Sequence, residues 1–217
     1  MARGWRSVNP LLISLLGVLL LPLFVATWRT SLFGLAGQGF LMAWIAYRMG
    51  PQPTLLGEWV TLADLVFVRG LWAPAALYGI LRAQNAPAKS DVIPPNLLSW
   101  TAALGIVVVA FSFSQVLVPE SGEEETLIAV AGAGVLLGFF VLATQSNPFS
   151  QMIGALRIEN AITLFELGGK HHHEALGLQL GQIAVVIVTV GLYRWYLRML
   201  GTKPGSPASG STEDVTL

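Results

Sequence analysis

One apolar stretch, residues 149–168, carries three ionisable side chains: Arg157, Glu159 and Glu166. Hydrocarbon does not solvate ions, so charged side chains within a membrane span face protein, water or one another. Residues of this kind mark proton relays and ion pathways in many membrane proteins. The stretch therefore predicts either proton or ion handling, or a charged contact that holds helices together inside a larger membrane complex.

The spacing of these three residues assigns them to different helix faces. Glu159 and Glu166 are seven residues apart, which is nearly two turns, so they share a face with Thr163 between them. Arg157 precedes Glu159 by two residues, so it points elsewhere and is no intrahelical partner of Glu159. We expect Arg157 to meet another helix, a lipid headgroup or a neighbouring subunit. Glu159 is either a protonatable group on a hydrated path or a structural ion-pair partner.

A second charged set lies in the segment 58–82. Asp64 and Arg69 are five residues apart, which is not an ideal spacing for neighbours on an α-helix. An arginine flanked by apolar residues near mid-span requires a counter-charge, and Asp64 and Glu159 are the obvious candidates. The alternative is that the side chain of Arg69 snorkels toward the membrane surface.

The elements that position these charges are predicted to be membrane helices. The chain is 54% hydrophobic and only 11% charged, whereas soluble domains carry about 25% charged residues. Open strands cannot satisfy their backbone in lipid, so the fold class is all-α, a polytopic membrane helix bundle. The predicted segments are 10–28, 31–47, 58–82, 96–118, 126–145, 149–168 and 175–199. This predicts about seven transmembrane helices, with six as the alternative because the second and sixth segments are short or polar.

Composition and motifs exclude several classes of function. Cys is absent, which argues against iron–sulfur cluster ligation and thiol catalysis. The net charge is zero, which argues against nucleic-acid binding. No nucleophile–base pair is visible, so no catalytic residue, cofactor or metal site is predicted. The run His171–His173 is interpreted as a hydrated loop, because adjacent histidines diverge and no spaced carboxylates join them. The spacing Gly134-x-x-x-Gly138 predicts close helix packing.

Lysine and arginine in the loops predict the orientation. With seven spans, one side of the membrane receives Arg29, Arg82, Lys89, Arg194, Arg198 and Lys203, and the other receives Arg3, Arg6, Arg48 and Lys170. The richer set is expected in the cytoplasm, so the N-terminus is predicted outside and the C-terminus inside. The basic start followed by the apolar run 11–26 is interpreted as a retained span rather than a cleaved signal peptide.

Residues 146–161 (SNPFSQMIGALRIENA), followed by a last apolar helix ending at Arg194, resemble the hydrogenase-4 component E family. That family is itself similar to the small K-type membrane subunit of respiratory complex I, with extra N-terminal helices. Its hallmark Glu-Asn pair is matched by Glu159-Asn160, and Arg69 takes the position of a basic residue in an earlier segment. Relatives carry a second carboxylate in the last helix, where this chain has Gly181 and Gln182.

The resemblance implies a division of the chain into three parts. Residues 1–118 form a four-helix N-terminal membrane region and 119–200 a three-helix K-subunit-like region. The third part, 201–217, is predicted to be a disordered cytoplasmic tail from its Gly, Ser, Pro, Thr, Glu and Asp content. The resemblance also implies assembly with antiporter-like and other membrane subunits of a complex I-like or hydrogenase-like complex, in a bacterial inner membrane with membrane lipid around it.

The expected function is that of a non-catalytic membrane subunit that contributes to proton or ion translocation. The pathway candidates are Glu159, Glu166, Asp64, Arg69 and Arg157. Two alternatives remain open at this point. The same charges could serve only to scaffold the complex, or the chain could be a free-standing small transporter, although it shows no repeat pair of the kind such transporters carry.

Overall fold

The computed structural model describes residues 9–24, 27–49, 56–83, 97–118, 122–145, 147–168 and 176–201, and all regular structure in these ranges is helical. The helices are α1 (Asn9–Phe24), α2 (Trp28–Met49), α3 (Leu56–Ala63), a π-helix (Asp64–Trp72), α4 (Ala73–Ala83), α5 (Leu97–Leu117), α6 (Glu123–Thr144), α7 (Pro148–Gly168) and α8 (Leu176–Gly201). Because α3, the π-helix and α4 run on without a break, the seven predicted segments correspond to seven helical rods, and the all-α class is confirmed for the described residues.

Four of these rods are long and apolar enough to cross a membrane, as expected of an integral membrane protein. They are Leu56–Arg82, Leu97–Leu117, Glu123–Thr144 and Gln179–Met199. The helices α2 and α7, with 22 and 21 residues, are as long as three of these four. They are more polar because they carry Gln38, Arg157, Glu159 and Asn160. The polar residues that lower the hydropathy of α2 and α7 thus include members of the candidate site described below.

Small residues allow α6 and α7 to form the most extensive helix pair of the bundle. A Cβ atom added at Gly154 would lie 3.0 Å from the carbonyl oxygen of Gly138, and one added at Gly134 would lie 2.9 Å from the Cβ of Ala161. Backbones approach this closely only where side chains are absent. Gly134 and Gly138 thus allow α6 to pack closely against α7, as their spacing predicts.

A second close approach joins α2 to the π-helix. A Cβ atom added at Gly39 would lie 2.6 Å from the backbone nitrogen and 2.7 Å from the Cα of Gly70. Gly39 is next to Gln38, and Gly70 is next to Arg69. The contact between the two glycines therefore places a polar side chain of each helix within the same narrow region of the interior.

The two predicted regions of the chain pack against each other. Helix α1 contacts α6, and α2 contacts α7, while α8 lies along α3, the π-helix and α4. Helices α5 and α8 lie at the outside, where they expose large apolar side chains such as Val108, Phe113, Val188 and Leu192. Outward-facing apolar side chains suit a hydrocarbon surrounding. The tail 202–217 and the loop that contains His171–His173 lie outside the described residues.

The close contact at Gly39 leads to the first prediction. Replacement of Gly39 by Ala should destabilise the protein by about 1–3 kcal/mol, because the new methyl group meets backbone atoms that cannot move aside independently. The matched control is Gly105→Ala in α5, where no atom outside the local backbone of the same helix lies within 4 Å of the added Cβ. Thermal unfolding in mild detergent compares the two variants. Equal melting temperatures would show that α2 and the π-helix are not packed this closely.

Candidate functional site

A band of polar side chains crosses the interior near the middle of the helices, and we call it the central polar layer. It consists of Gln38 on α2, Asp64 and Arg69 on the π-helix, Arg157, Glu159 and Asn160 on α7, and Thr189 on α8. Four of the five sequence-predicted pathway residues belong to it. The fifth, Glu166, is partly buried near the C-terminal end of α7, outside the layer.

The first contact of the layer is a buried ion pair. Arg69 donates from Nε to Oδ2 of Asp64 over 2.7 Å, with the side chains only 3% and 6% exposed. Residues five apart lie about 140° from each other around an α-helix, so the sequence spacing argued against this pair. The π-helix forms hydrogen bonds from i to i+5 instead. It therefore brings Asp64 and Arg69 onto one face. Asp64, one of the two expected counter-charges, is thus the ion-pair partner of Arg69, although the spacing of five residues is unfavourable on an α-helix.

The burial of Arg69 also excludes the snorkelling alternative. Its guanidinium lies in the interior, where Nη1 donates to Oδ1 of Asn160 over 3.0 Å. Asn160 in turn donates from Nδ2 to Oε1 of Gln38 over 3.3 Å. Asp64, Arg69, Asn160 and Gln38 thus form one hydrogen-bonded chain that links the π-helix, α7 and α2.

Arg157 meets another helix, which was one of the three partners open to it. Its side chain is 1% exposed, and Nη1 donates to the carbonyl oxygen of Leu19 on α1 over 3.3 Å. Nε and Nη2 are buried and have no hydrogen-bond partner. Within the ranges that the structure describes, the ion pair of Arg69 with Asp64 is the only one that the geometry places in the layer. Arg157 is therefore a buried cation in contact with a neutral carbonyl.

Glu159 occupies the other face of α7, toward α8. Thr189 donates to Oε1 of Glu159 over 3.2 Å, whereas Oε2 is buried without a partner. Thr163 donates to the backbone carbonyl of Glu159 over 3.1 Å. The carboxylate lies within electrostatic range of both Arg69 and Asp64. Glu159 thus combines partial burial, a spare carboxylate oxygen and nearby charges of both signs.

This arrangement divides the layer into two parts with different chemical capacity. The chain from Asp64 to Gln38 is closed by direct hydrogen bonds, and an arginine cannot release a proton under ordinary conditions. Glu159 can take up a proton on Oε2 and release it again without breaking an ion pair. Among the described residues, no group of three or more His, Asp or Glu side chains is placed to hold a metal ion.

Sequence reasoning missed two participants of the layer. Thr189, in the middle of the apolar α8, is the partner of Glu159, and the carbonyl of Leu19 is the partner of Arg157. A hydroxyl in the middle of an apolar helix such as Thr189 could have indicated a polar partner on a neighbouring helix, because buried polar groups are nearly always hydrogen-bonded. A backbone carbonyl leaves no such signal in the sequence.

The chain was also compared with known protein families, with characterised proteins and with solved structures, and none of them matches it.

The buried ion pair leads to the second prediction. Asp64→Asn and Arg69→Gln should each destabilise the protein by about 3–5 kcal/mol, because each leaves the other charge buried without its partner. The double variant should lose less than the sum of the two single losses. Thermal unfolding of the three variants and the unmodified chain completes the cycle. Strictly additive losses would mean that the two side chains do not interact.

Proposed function

We propose that this chain is a non-catalytic integral membrane subunit of an oxidoreductase complex related to energy-converting hydrogenases and complex I, and that it contributes to proton or ion translocation. The observation that carries the translocation role is Glu159 in the middle of the bundle, with one carboxylate oxygen unpartnered and Arg69 within electrostatic range. Membership of such a complex is supported by the resemblance of residues 146–161. A buried polar layer of this kind is costly in a membrane and is retained where it serves a purpose.

The residues of the layer would have distinct roles. Glu159 takes up a proton at Oε2 from transient water and releases it to water on the other side of the layer. Arg69 and Arg157 set the field around it, and Asp64 fixes the position of Arg69. Glu166, seven residues further along α7, is a secondary carboxylate on the same helix. A change of charge in a neighbouring subunit would shift the proton affinity of Glu159, which is an electrostatic form of coupling.

The proposal includes a membrane arrangement. All seven rods cross the membrane, with α2 and α7 as spans whose polar residues are shielded by their neighbours. The C-terminus lies in the cytoplasm and the membrane is the bacterial inner membrane. The partners are antiporter-like and other membrane subunits, which would cover part of the apolar surface of α5 and α8, with lipid around the remainder.

One observation favours a second candidate, a purely structural scaffold subunit of such a complex. The chain of direct contacts from Asp64 to Gln38 fastens three helices together. Buried polar networks of this kind can fix helix register without any transport role. The scaffold and the proton-path readings differ in what they predict for Glu159, which lies outside that chain of contacts.

The third prediction concerns the partners. Affinity purification of the full chain from its native membrane in mild detergent, followed by mass spectrometry, should recover antiporter-like membrane subunits together with an iron–sulfur or nickel-bearing arm. Recovery of the chain alone, as a stable monodisperse species, would contradict the complex-subunit proposal and favour a free-standing transporter.

The fourth prediction separates the proton-path reading from the scaffold reading. Glu159→Gln keeps the size of the side chain and the bond from Thr189 but removes the exchangeable proton. The complex should assemble at its normal yield, while coupled proton movement, measured in sealed membrane vesicles, should fall by at least tenfold, as for loss of a positioned proton-transfer group. The matched control is Glu125→Gln in the first turn of α6, which should pump normally.

Two results would decide against the proton path. Normal pumping by the assembled Glu159→Gln complex would exclude a relay through this residue. A reduced yield of complex with unchanged pumping per assembled complex would instead favour the scaffold reading.

A further inference from the structure

The two ends of the helix bundle carry net charges of opposite sign in the residues that the structure describes. At the end where α2 begins and where α4 and α8 end, which we name the basic end, these charges are Arg29, Arg82, Arg194 and Arg198. At the opposite end they are Arg48, Glu58, Glu123, Glu124, Glu125 and Glu166. Two contacts fix this arrangement of the helices, since the ring of Trp28 lies against Tyr78 and the side chain of Gln179 lies beside Gly57.

Two arginines of the basic end flank an aromatic pair that joins α2 to α4. The ring centroids of Trp28 and Tyr78 are 5.6 Å apart, and the Trp28 side chain is buried. The guanidinium carbon of Arg29 lies 5.2 Å from the centroid of the Trp28 ring. Arg82 follows Tyr78 by four residues, so it lies one turn further along the same face of α4. Both arginine side chains are exposed, and they therefore place two positive charges beside the junction of α2 and α4.

The surface next to this junction, toward the middle of the bundle, is apolar. Phe33 and Phe40 follow Arg29 by 4 and 11 residues on α2, so the three side chains lie on one face of the helix. Both phenylalanines are exposed. The ring of Phe40 also reaches the π-helix, since a Cβ atom added at Gly70 would lie 3.6 Å from it. An apolar strip therefore runs from Arg29 along the boundary between α2 and the following rod.

The sequence of charge and apolar surface along this strip matches the chemistry of an anionic phospholipid. A guanidinium binds phosphate oxygens through paired N–H donors, and neither Arg29 nor Arg82 forms an ion pair with another described residue. Basic pockets between membrane helices on the cytoplasmic side bind anionic headgroups. A zwitterionic headgroup carries its own cation, so two uncompensated arginines attract it less. The exposed phenylalanines suit the hydrocarbon of an acyl chain.

We propose that the junction of α2 and α4 at the basic end binds one phospholipid with a net negative headgroup. Its phosphate lies between the guanidinium groups of Arg29 and Arg82, and one acyl chain follows Phe33 and Phe40. The lipid holds α2 and α4 together from outside the bundle. The site requires only that the chain lies in a membrane, so it stands whether or not Glu159 relays protons.

The test uses the full chain, purified in mild detergent together with any subunits that accompany it. Its melting temperature should rise by about 2–4 °C on addition of phosphatidylglycerol, and it should not rise with phosphatidylcholine at the same concentration. Native mass spectrometry should show phosphatidylglycerol retained on the intact chain. An equal rise with both lipids, or with inorganic phosphate alone, would overturn the proposal.

Substitutions at the two arginines make the test specific. Arg29→Gln and Arg82→Gln should each lose most of the rise with phosphatidylglycerol, because each removes one of the charges that hold the phosphate. The matched control is Arg48→Gln in the last turn of α2, at the opposite end of the same helix, which should keep the full rise.

Two further results would contradict the site. An equal loss in Arg48→Gln, or an unchanged rise in both Arg29→Gln and Arg82→Gln, would mean that the lipid is attracted by overall charge and not by this junction. Failure of the unmodified chain to retain phosphatidylglycerol in native mass spectrometry would exclude the site whether or not the variants fold.

Discussion

The requirement that Arg69 meet a carboxylate inside the bundle governs the rest of the interior. A guanidinium carries five N–H donors in one plane and no acceptor, so each polar group bonded to it must present an acceptor. Asp64 neutralises Arg69 across one turn of the π-helix. Arg69 also donates to the oxygen of Asn160, so the nitrogen of Asn160 faces Gln38 and donates to it. One cation thereby fixes the relative positions of the π-helix, α7 and α2, and it fixes the direction of the hydrogen bonds between them.

Close helix contacts make this network possible. Gly39 and Gly70 bring α2 against the π-helix, while Gly134, Gly138 and Gly154 bring α6 against α7. In a membrane, where apolar side chains gain little by leaving lipid for protein, small residues allow the backbones to approach and pack. The short polar side chains of Asn160 and Gln38 can then span the remaining distance without a larger residue between the helices.

The two charged residues of α7 on either side of Ile158 face different surroundings. Arg157 points to a small cavity bounded by α1, α2 and α6, and Glu159 points toward α8, which packs only lightly on α7. The hydrogen-bonded network from Asp64 to Gln38 meets α7 at Asn160, next to Glu159, and Gln38 and Asn160 also line the cavity together with Arg157.

The sequence by itself determined the all-helical class, the seven segments and the charges near the middle of two of them, 58–82 and 149–168. Hydrophobicity and segment length are local properties that can be read directly from the residues. The sequence also determined that Glu159 and Arg157 lie on different faces, since helical periodicity fixes that. The tertiary structure decided the partners. The pairing of Asp64 with Arg69 depends on a π-helical turn that α-helical spacing does not predict. The bond of Arg157 to Leu19 joins residues 138 positions apart through a backbone atom. Contacts of this kind depend on how whole helices pack, and no local pattern encodes them.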